Sequence, residues 1–401
     1  MKINFARATR ELADRYPHLE ALVNTERGRR YTFPEFDRLT NRIVNMIHGK
    51  LGLGRGDRYL CILDNDNLSL LHAPTVLKGA AAAAWTNYRD SFEEHCWQID
   101  WIEPKTVFLE SELVARFHPL LSERGIAIVS MDPCPGFSGV HHFWDLLDGV
   151  SEDDPGIESD VNADPIIYRF TGGTTGKSKC AEYSIDNWLA GRDAYYVPHD
   201  NPFRPGARNL LMAPLSHGGA VTVMSSFFRG CCLVTQNAPD LDLWCRNVEA
   251  ERINIAGLVP TLCYRLLELE SAGRYDLSSL DSVTYGAAPM SATKLVALQE
   301  RFGNVFVQIY GSTECWVPAL YLSKADHLAE GGDLVLGSLT SEADQRDQVA
   351  LDRPLLGRDV GARERLERRR VRLPAVGVVG DGQSVRVDGH VATPRTTAVS
   401  P

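Results

Sequence analysis

The stretch PIIYRFTGGTTGKSKCAEYS, residues 165–184, places an apolar segment on each side of a loop rich in glycine, threonine and lysine. Glycines let a backbone turn so that its N–H groups face an anion, and threonine and lysine side chains add donors and charge. The loop therefore predicts a phosphate-binding site. On composition alone, a solvated Gly/Thr hairpin loop is the alternative.

This loop differs from a Walker phosphate loop in two ways. The G-x-x-x-x-G-K-[ST] pattern requires a glycine where this chain has Thr171. A Walker loop also leads directly into a helix, whereas CAEYS at 180–184 predicts a second strand. The next helix is expected to begin at Ser184 or Asp186, either of which can cap it. A strand–loop–strand arrangement is therefore expected, and a Walker-type NTPase is disfavoured.

Predicted helices of 10–15 residues alternate with short apolar strands along the chain, which indicates mainly parallel α/β sheets covered by helices. Residues 31–50 predict a helix capped by Thr32, with Pro34 in its first turn. The acidic, turn-rich stretch 151–165 predicts a connection between two α/β subdomains. Further helices are predicted at 68–80 and 91–104, and strands at 58–66, 81–87, 105–110, 165–170, 210–215, 231–235, 253–259, 282–287 and 305–310.

Composition excludes several function classes. Hydrophobic residues make up 44% of the 401 residues and charged residues 23%, as in ordinary folded proteins. The formal net charge of -10 disfavours nucleic-acid binding. The nine cysteines include no C-x-x-C pair, which disfavours a zinc or disulfide framework. No signal peptide or membrane-length apolar run is recognised, so we expect a cytoplasmic protein; homo-oligomerisation stays open.

Residues 171–180, TGGTTGKSKC, resemble the ATP-binding loop T-[SG]-G-[ST]-T-G-x-P-K-G of the adenylate-forming superfamily, which includes acyl-CoA ligases, peptide-synthetase adenylation domains and luciferases. Ser178 and Cys180 depart from that pattern. Further stretches resemble superfamily segments and occur in the same order. Each is unspecific alone, and their shared order carries the resemblance. They are 31–47 with 52–65, APLSHGGA at 213–220, VPTLCYRLLE at 259–268, TYGAAPMS at 284–291 and QIYGSTE at 308–314.

The resemblance implies the fold of the large N-terminal domain of adenylate-forming enzymes over residues 1–340. It also implies ATP-dependent activation of a small-molecule carboxylic acid to an acyl-adenylate, followed by transfer to coenzyme A. The implied cofactors are ATP, Mg²⁺ and coenzyme A. The histidine in APLSHGGA favours an acyl- or aryl-CoA ligase, of fatty-acid or other acid specificity. An acyl-AMP ligase and an inactive nucleotide- or acid-binding relic stay open.

The resemblance also implies roles for individual residues. Glu314 is expected to coordinate Mg²⁺, and Thr313 to hydrogen-bond the α-phosphate. Tyr310 is expected to stack on adenine, and His217 to lie beside the acyl carboxylate, where Gly218 and Gly219 leave room for the acyl group. The residues expected to cradle the β- and γ-phosphates are Thr171, Gly172, Gly173, Thr174, Thr175, Gly176 and Lys179. Those expected to line the edge of the adenine and the acyl pocket are Gly286, Ala287 and Ala288, and Gly311 is also expected to bind the cofactor.

The resemblance fades near residue 340. The superfamily's T-G-D motif, its late catalytic lysine and its mobile C-terminal domain have no match in this sequence. Residues 341–401 contain 11 arginines, no lysine and none of the chain's 34 aromatic residues. This composition predicts an atypical tail that is poorly packed or a remnant of a barrel, because core-forming residues are scarce. Weak or lost catalytic activity is therefore expected.

Overall fold

The computed structural model describes residues 2–162, 165–171, 178–196, 201–314 and 318–327, and the backbone of 384–386. Two eight-stranded, mainly parallel sheets dominate this part of the chain, with helices packed against them, which confirms the predicted α/β class. The helices are α1 Phe5–Arg15, α2 Phe33–Gly49, α3 Asn65–Leu68, α4 Ala73–Val76, α5 Phe92–Ile102, α6 Ser111–Glu123, α7 Phe143–Leu146, α8 Ile185–Ala194, α9 Val223–Phe227, α10 Leu241–Glu251, α11 Pro260–Glu268 and α12 Ala292–Phe302. The strands are β1 Lys2–Ile3, β2 Glu20–Asn24, β3 Arg29–Thr32, β4 Arg58–Leu63, β5 Ala82–Asn87, β6 Thr106–Leu109, β7 Ala127–Ser130, β8 Val140–His142, β9 Ser159–Asp160, β10 Pro165–Phe170, β11 Cys180–Ser184, β12 Arg208–Leu211, β13 Cys232–Thr235, β14 Ile255–Leu258, β15 Ser282–Tyr285, β16 Phe306–Tyr310, β17 Leu320–Leu322 and β18 Ser384–Arg386.

The first sheet has the strand order β18-β11-β10-β5-β4-β6-β7-β8. Its strands run parallel except for the antiparallel pair β10–β11. The central strand β4 is apolar without alternation because both of its faces are covered. Leu60 and Ile62 pack into one core, while Cys61 and Leu63 pack into another.

The second sheet has the order β17-β16-β15-β14-β12-β13-β2-β3, with antiparallel pairs only at its two ends. Its strands β2 and β3 come from the N-terminal part of the chain, whereas β10 and β11, beyond residue 165, belong to the first sheet. Each sheet thus combines strands from both sides of the stretch 151–165, and a connection there between two α/β subdomains stays a prediction. The strands bury their apolar faces through distant pairings, such as Leu22 with Leu233 and Ile167 with Ala83, which no local pattern encodes.

Local sequence signals predicted some helix termini better than they predicted the strand pairings. The helix predicted at 31–50 is α2, and Thr32 and Glu35 form its capping box. The helix predicted at 68–80 is wrong: a 3₁₀ turn at Ser69–Leu71 and the short α4 replace it. Pro74 lies in the first turn of α4 and cannot extend a preceding helix, because it has no N–H and its ring clashes with the turn before it.

The tail expected to be poorly packed lies outside the described residues, except for Ser384–Arg386. Those three residues form β18, which runs parallel to β11 at the edge of the first sheet. Within the part of the chain that the structure describes, no helix is long and apolar enough to cross a bilayer.

Candidate active site

A cavity of about 250 Å³ opens at the carboxyl ends of β12, β14, β15 and β16 of the second sheet. Parallel α/β sheets bind ligands at this edge, because the loops that leave the strands there can diverge around a ligand. The wall is mostly apolar, and β10 of the first sheet contributes one residue to it. The described lining residues are Arg169, 210–213, 217–219, 221–222, 257–259, 284–287, Ile309 and 311–313.

The side chain of Asn65, the first residue of α3, holds the turn that follows β12. The amide nitrogen of Asn65 lies 3.1–3.2 Å from the carbonyl oxygens of residues 211–213 and 2.9 Å from that of Gln236. Its carbonyl oxygen accepts the backbone N–H of Leu215 at 2.9 Å. Asn65 therefore positions the turn that leads to His217, a role that the sequence did not reveal.

The two glycines after His217 differ in the space that a side chain would have at each position. A Cβ added to Gly219 would lie 2.1 Å from the carbonyl oxygen of Ala213, so the packing of this turn requires glycine. A Cβ added to Gly218 would meet nothing within 4 Å among the described residues. Gly218 therefore has open space around it, whereas Gly219 is fixed by backbone contact.

His217 lines the cavity and is a neutral imidazole at neutral pH. Burial is the main cause of its lowered pKa, and the nearby charge of Arg169 lowers that pKa further, to about 4. The Nδ1 atom of His217 lies 3.1 Å from the hydroxyl of Ser216. The structure thus places His217 at the cavity, in a form that accepts or donates hydrogen bonds without charge.

The turn after β15 brings two of its three predicted adenine-site residues to the cavity. A Cβ added to Gly286 would lie 2.5 Å from the carbonyl oxygen of Ile309, so only glycine allows this close approach to β16. Ala287 also lines the cavity and adopts a φ of 66°, a left-handed conformation that is costly for alanine. Ala288 is exposed and lies outside the lining.

The turn after β16 carries the YGSTE stretch. Gly311 and Thr313 line the cavity, and the hydroxyl of Tyr183 on β11 donates to the carbonyl oxygen of Thr313, which ties this turn to the first sheet. Tyr310 does not line the cavity, and its side chain is 59% exposed, so its ring face is accessible. Glu314 is partly exposed next to the lining residues.

The glycine–threonine loop is anchored at its base by an antiparallel ladder. The N–H of Thr171 donates to the carbonyl oxygen of Lys179 at 2.8 Å, and the N–H of Lys179 donates to the Thr171 hydroxyl at 3.1 Å. The ladder between β10 and β11 confirms the predicted strand–loop–strand arrangement. The hydroxyl of Ser178 donates to the carboxylate of Glu94. The remaining predicted phosphate ligands, Gly172, Gly173, Thr174, Thr175 and Gly176, lie outside the described residues.

A family model described as "AMP-binding enzyme" matches residues 9–343. The chain belongs to the AMP-binding enzyme family. Over 229 residues, 54% of this chain and 40% of the relative, it is 30% identical to the medium/long-chain-fatty-acid–CoA ligase FadD8 of Mycobacterium tuberculosis. Over 75% of this chain and 56% of the relative, it is 29% identical to 4-coumarate–CoA ligase 1 of Oryza sativa subsp. japonica. This AMP-binding family member thus spans about half the length of the curated relatives that it matches.

Solved structures share the fold. The N-terminal domain of FACL13 from Mycobacterium tuberculosis, bound to an inhibitor, has a TM-score of 0.69 at 22% identity, over 81% of this chain and 80% of that one. The anthranilate CoA ligase AuaEII in complex with anthranoyl-AMP has a TM-score of 0.74 at 17% identity, over 84% of this chain and 68% of that one. At these identities the likeness supports the family fold and no finer assignment.

The donor set near the cavity fits a magnesium ion that shares its coordination with a nucleotide. No group of three or more candidate metal ligands exists among the described residues, so this part of the chain builds no all-protein cage. Glu314 offers one carboxylate beside the cavity wall. Protein-bound Mg²⁺ commonly uses one or two carboxylates together with substrate phosphates and water.

Proposed function

We propose that this chain uses ATP to activate a carboxylic acid as an acyl-adenylate and transfers the acyl group to coenzyme A. The observation that carries the proposal is one cavity bordered by three distant stretches of the chain. His217 follows β12, Gly286 follows β15, and Thr313 follows β16. These are stretches whose sequences resemble the segments that the superfamily uses for the acid, the adenine and the α-phosphate.

The nucleotide is proposed to lie across the ends of β15 and β16. The close backbone approach at Gly286 leaves a flat wall against which a base can pack. The exposed ring of Tyr310 is available to stack on that base. Lys179 at the base of the loop contributes charge toward the phosphates, and Glu314 would hold Mg²⁺, which neutralises phosphate charge when it is bound.

The acid is proposed to occupy the mostly apolar part of the cavity near His217 and Gly218. Leu210, Met212 and Leu258 offer hydrocarbon surface to the acyl part. Because His217 is neutral, it can hydrogen-bond a carboxyl or carbonyl oxygen without trapping it as an ion pair. A fatty acid and an aryl acid both fit this description.

The proposed reaction has two steps, adenylation of the acid and transfer of the acyl group to coenzyme A. A carboxylate oxygen attacks the α-phosphorus of ATP, which forms the acyl–O–P bond and breaks the bond to the leaving pyrophosphate. The sulfur of coenzyme A, as thiolate, then attacks the acyl carbon and releases AMP. The first step concentrates negative charge, so donors and cations placed before the reaction lower its barrier. In this proposal the residues around the cavity align the two reactants.

Acid-dependent exchange between ATP and labelled pyrophosphate tests the proposal on the full chain. A panel of straight-chain, aryl and polycyclic acids is used, each with its primary amide as a control that cannot be adenylated. Exchange with at least one acid, and none with its amide, is expected. ATP binding without any exchange favours the inactive relic. Exchange that is independent of added acid contradicts the proposal.

A further inference from the structure

Arg169 is a buried charged residue at the wall of the cavity. It lies in the otherwise apolar strand β10, is 4% exposed, and lines the cavity from the side of the first sheet. Among the described lining residues, His217 and Tyr285 are the other titratable ones. Burial keeps both of them neutral, because it lowers the pKa of His217 and raises that of Tyr285. Within this described wall, Arg169 is the residue that carries formal charge.

The charge of Arg169 affects the pKa values of two buried histidines. Burial is the larger cause of the lowered pKa of His72, which falls to about 3, and the positive charge of Arg169 lowers it further, as it does for His217. Arginine stays protonated in proteins. The cavity therefore has a positive potential in a mostly apolar wall, where a charge acts over a longer range than in water.

The guanidinium group is held in place. Its Nε–H donates to the carbonyl oxygen of Ser216 at 3.1 Å, on the residue before His217. The hydroxyl of Tyr183, whose strand β11 pairs with β10, reaches the carbonyl oxygen of Thr313. Arg169 thus lies between the turn that carries His217 and the strand that supports Thr313, near the place where acid and α-phosphate would meet.

We propose that Arg169 binds the reacting carboxylate of the acid substrate and orients it in the cavity. The inference rests on the function proposed above and names the residue that recognises the acid group. A carboxylate that leaves water for an apolar cavity needs a cation and hydrogen-bond donors. The planar guanidinium supplies both, in a geometry that matches a carboxylate. Neutral His217 can add a hydrogen bond but no charge.

Two alternatives predict different behaviour. In the first, Arg169 is purely structural and holds Ser216, so its loss would disturb every ligand of the cavity alike. In the second, Arg169 recognises a second acidic group on the acyl part, so its loss would affect diacids alone. Binding of matched probes separates these alternatives from the proposal without relying on catalysis.

The test uses calorimetric titration of the full chain and its Arg169→Met, Arg169→Gln and Arg169→Lys variants. The probes are benzoate against benzamide, octanoate against octanamide, and hexanoate against adipate, with ATP as a control ligand. Arg169→Met and Arg169→Gln are expected to weaken benzoate or octanoate by about 10- to 100-fold, the loss of a charge-assisted hydrogen bond. The affinities for the amides and for ATP should change less than about threefold, because such a change is no larger than the contribution of one neutral hydrogen bond. Arg169→Lys should keep part of the acid affinity.

Arg169→Gln guards against a folding artefact, because it can still donate to the carbonyl oxygen of Ser216. Equal losses for acids and amides would assign Arg169 a structural role and overturn the proposal. A loss confined to adipate would overturn it in favour of a second acidic group. The parent chain could show exchange with an acid while none of the Arg169 variants changes the affinity for that acid. In that case the inference fails and the proposed function stands. If no acid binds or exchanges, both fail.

Discussion

The side chain of Asn65, next to the end of β4 in the first sheet, accepts the backbone N–H of Leu215 in the cavity turn of the second sheet at 2.9 Å. The same side chain directs its amide group at four carbonyl oxygens, those of residues 211–213 and Gln236. One buried amide therefore joins the two sheets at the wall of the cavity. Stability of the turn and placement of His217 depend on the same contact.

Asn65→Asp is expected to destabilise the chain by about 2–3 kcal/mol, because it removes both donors and aims a carboxylate at buried carbonyl oxygens. Urea unfolding measures this loss. The matched control is Asn45→Asp, since the Asn45 amide reaches the carbonyl oxygens of Ser151 and Asp153 at an exposed position. An Asn65→Asp loss no larger than that of the control would show that the Asn65 contacts are dispensable.

Lys179→Ala is expected to weaken ATP binding by about 1–3 kcal/mol, the weight of a charge-assisted hydrogen bond. Lys105→Ala is the control, because Lys105 is an exposed lysine paired with Asp57 at the amino end of β6. Titration of ATP into each variant makes the measurement. If the two variants bind ATP equally well, Lys179 has no part in the nucleotide site.

Glu314→Gln is expected to abolish the Mg²⁺ dependence of ATP binding, because an amide oxygen is a much weaker ligand for a hard cation than a carboxylate. ATP titrations with and without Mg²⁺ measure the dependence. Glu300→Gln, on the exposed side of α12, should keep the parent behaviour. Persistent Mg²⁺ dependence in Glu314→Gln would make Glu314 a structural carboxylate.

Asp66 predicts a pH dependence of stability. Its side chain is 0% exposed, and burial is the main cause of a pKa raised to about 6. Because this value exceeds the unfolded value of about 3.9, the folded state holds the proton more tightly. The stabilisation is therefore complete below about pH 4 and is lost as the pH rises through about 6.

Urea unfolding of the parent chain and of Asp66→Asn between pH 4 and pH 7 isolates this contribution. The parent should lose up to about 3 kcal/mol more than the variant over this interval. Burial also raises the pKa of Glu110, despite the attraction of Arg27, so part of the slope should remain in Asp66→Asn. Parallel pH profiles for the two chains would contradict the assignment to Asp66.

Local signals in the sequence predicted those features whose causes are local. The cap at Thr32 and the strand–loop–strand unit at 165–184 follow from turn, capping and strand preferences within a few residues. Motif order singled out His217, Gly311 and Thr313, and all three line one cavity.

Long-range contacts were beyond the reach of the same signals. Asn65 acts on a turn about 150 residues away, and Arg169 resembles an ordinary strand arginine until the cavity beside it is known. The exchange of strands between the two sheets has the same origin, because pairings such as β2 with β13 are decided by tertiary packing. Ala288, which the same motif singles out, lies outside the described cavity wall, and its predicted role stays a prediction.

The central claim is that a single cavity receives a carboxylic acid and a nucleotide side by side. A hydrolysis-resistant analogue that joins the two, benzoyl or octanoyl sulfamoyladenosine, tests it by calorimetric titration alone and in competition with ATP and with the free acid. At least one analogue is expected to bind about 100-fold or more tightly than either free ligand, because it resembles the reacting state, and to be displaced by both. An affinity no better than that of adenosine, with no competition from the acid, would contradict the account.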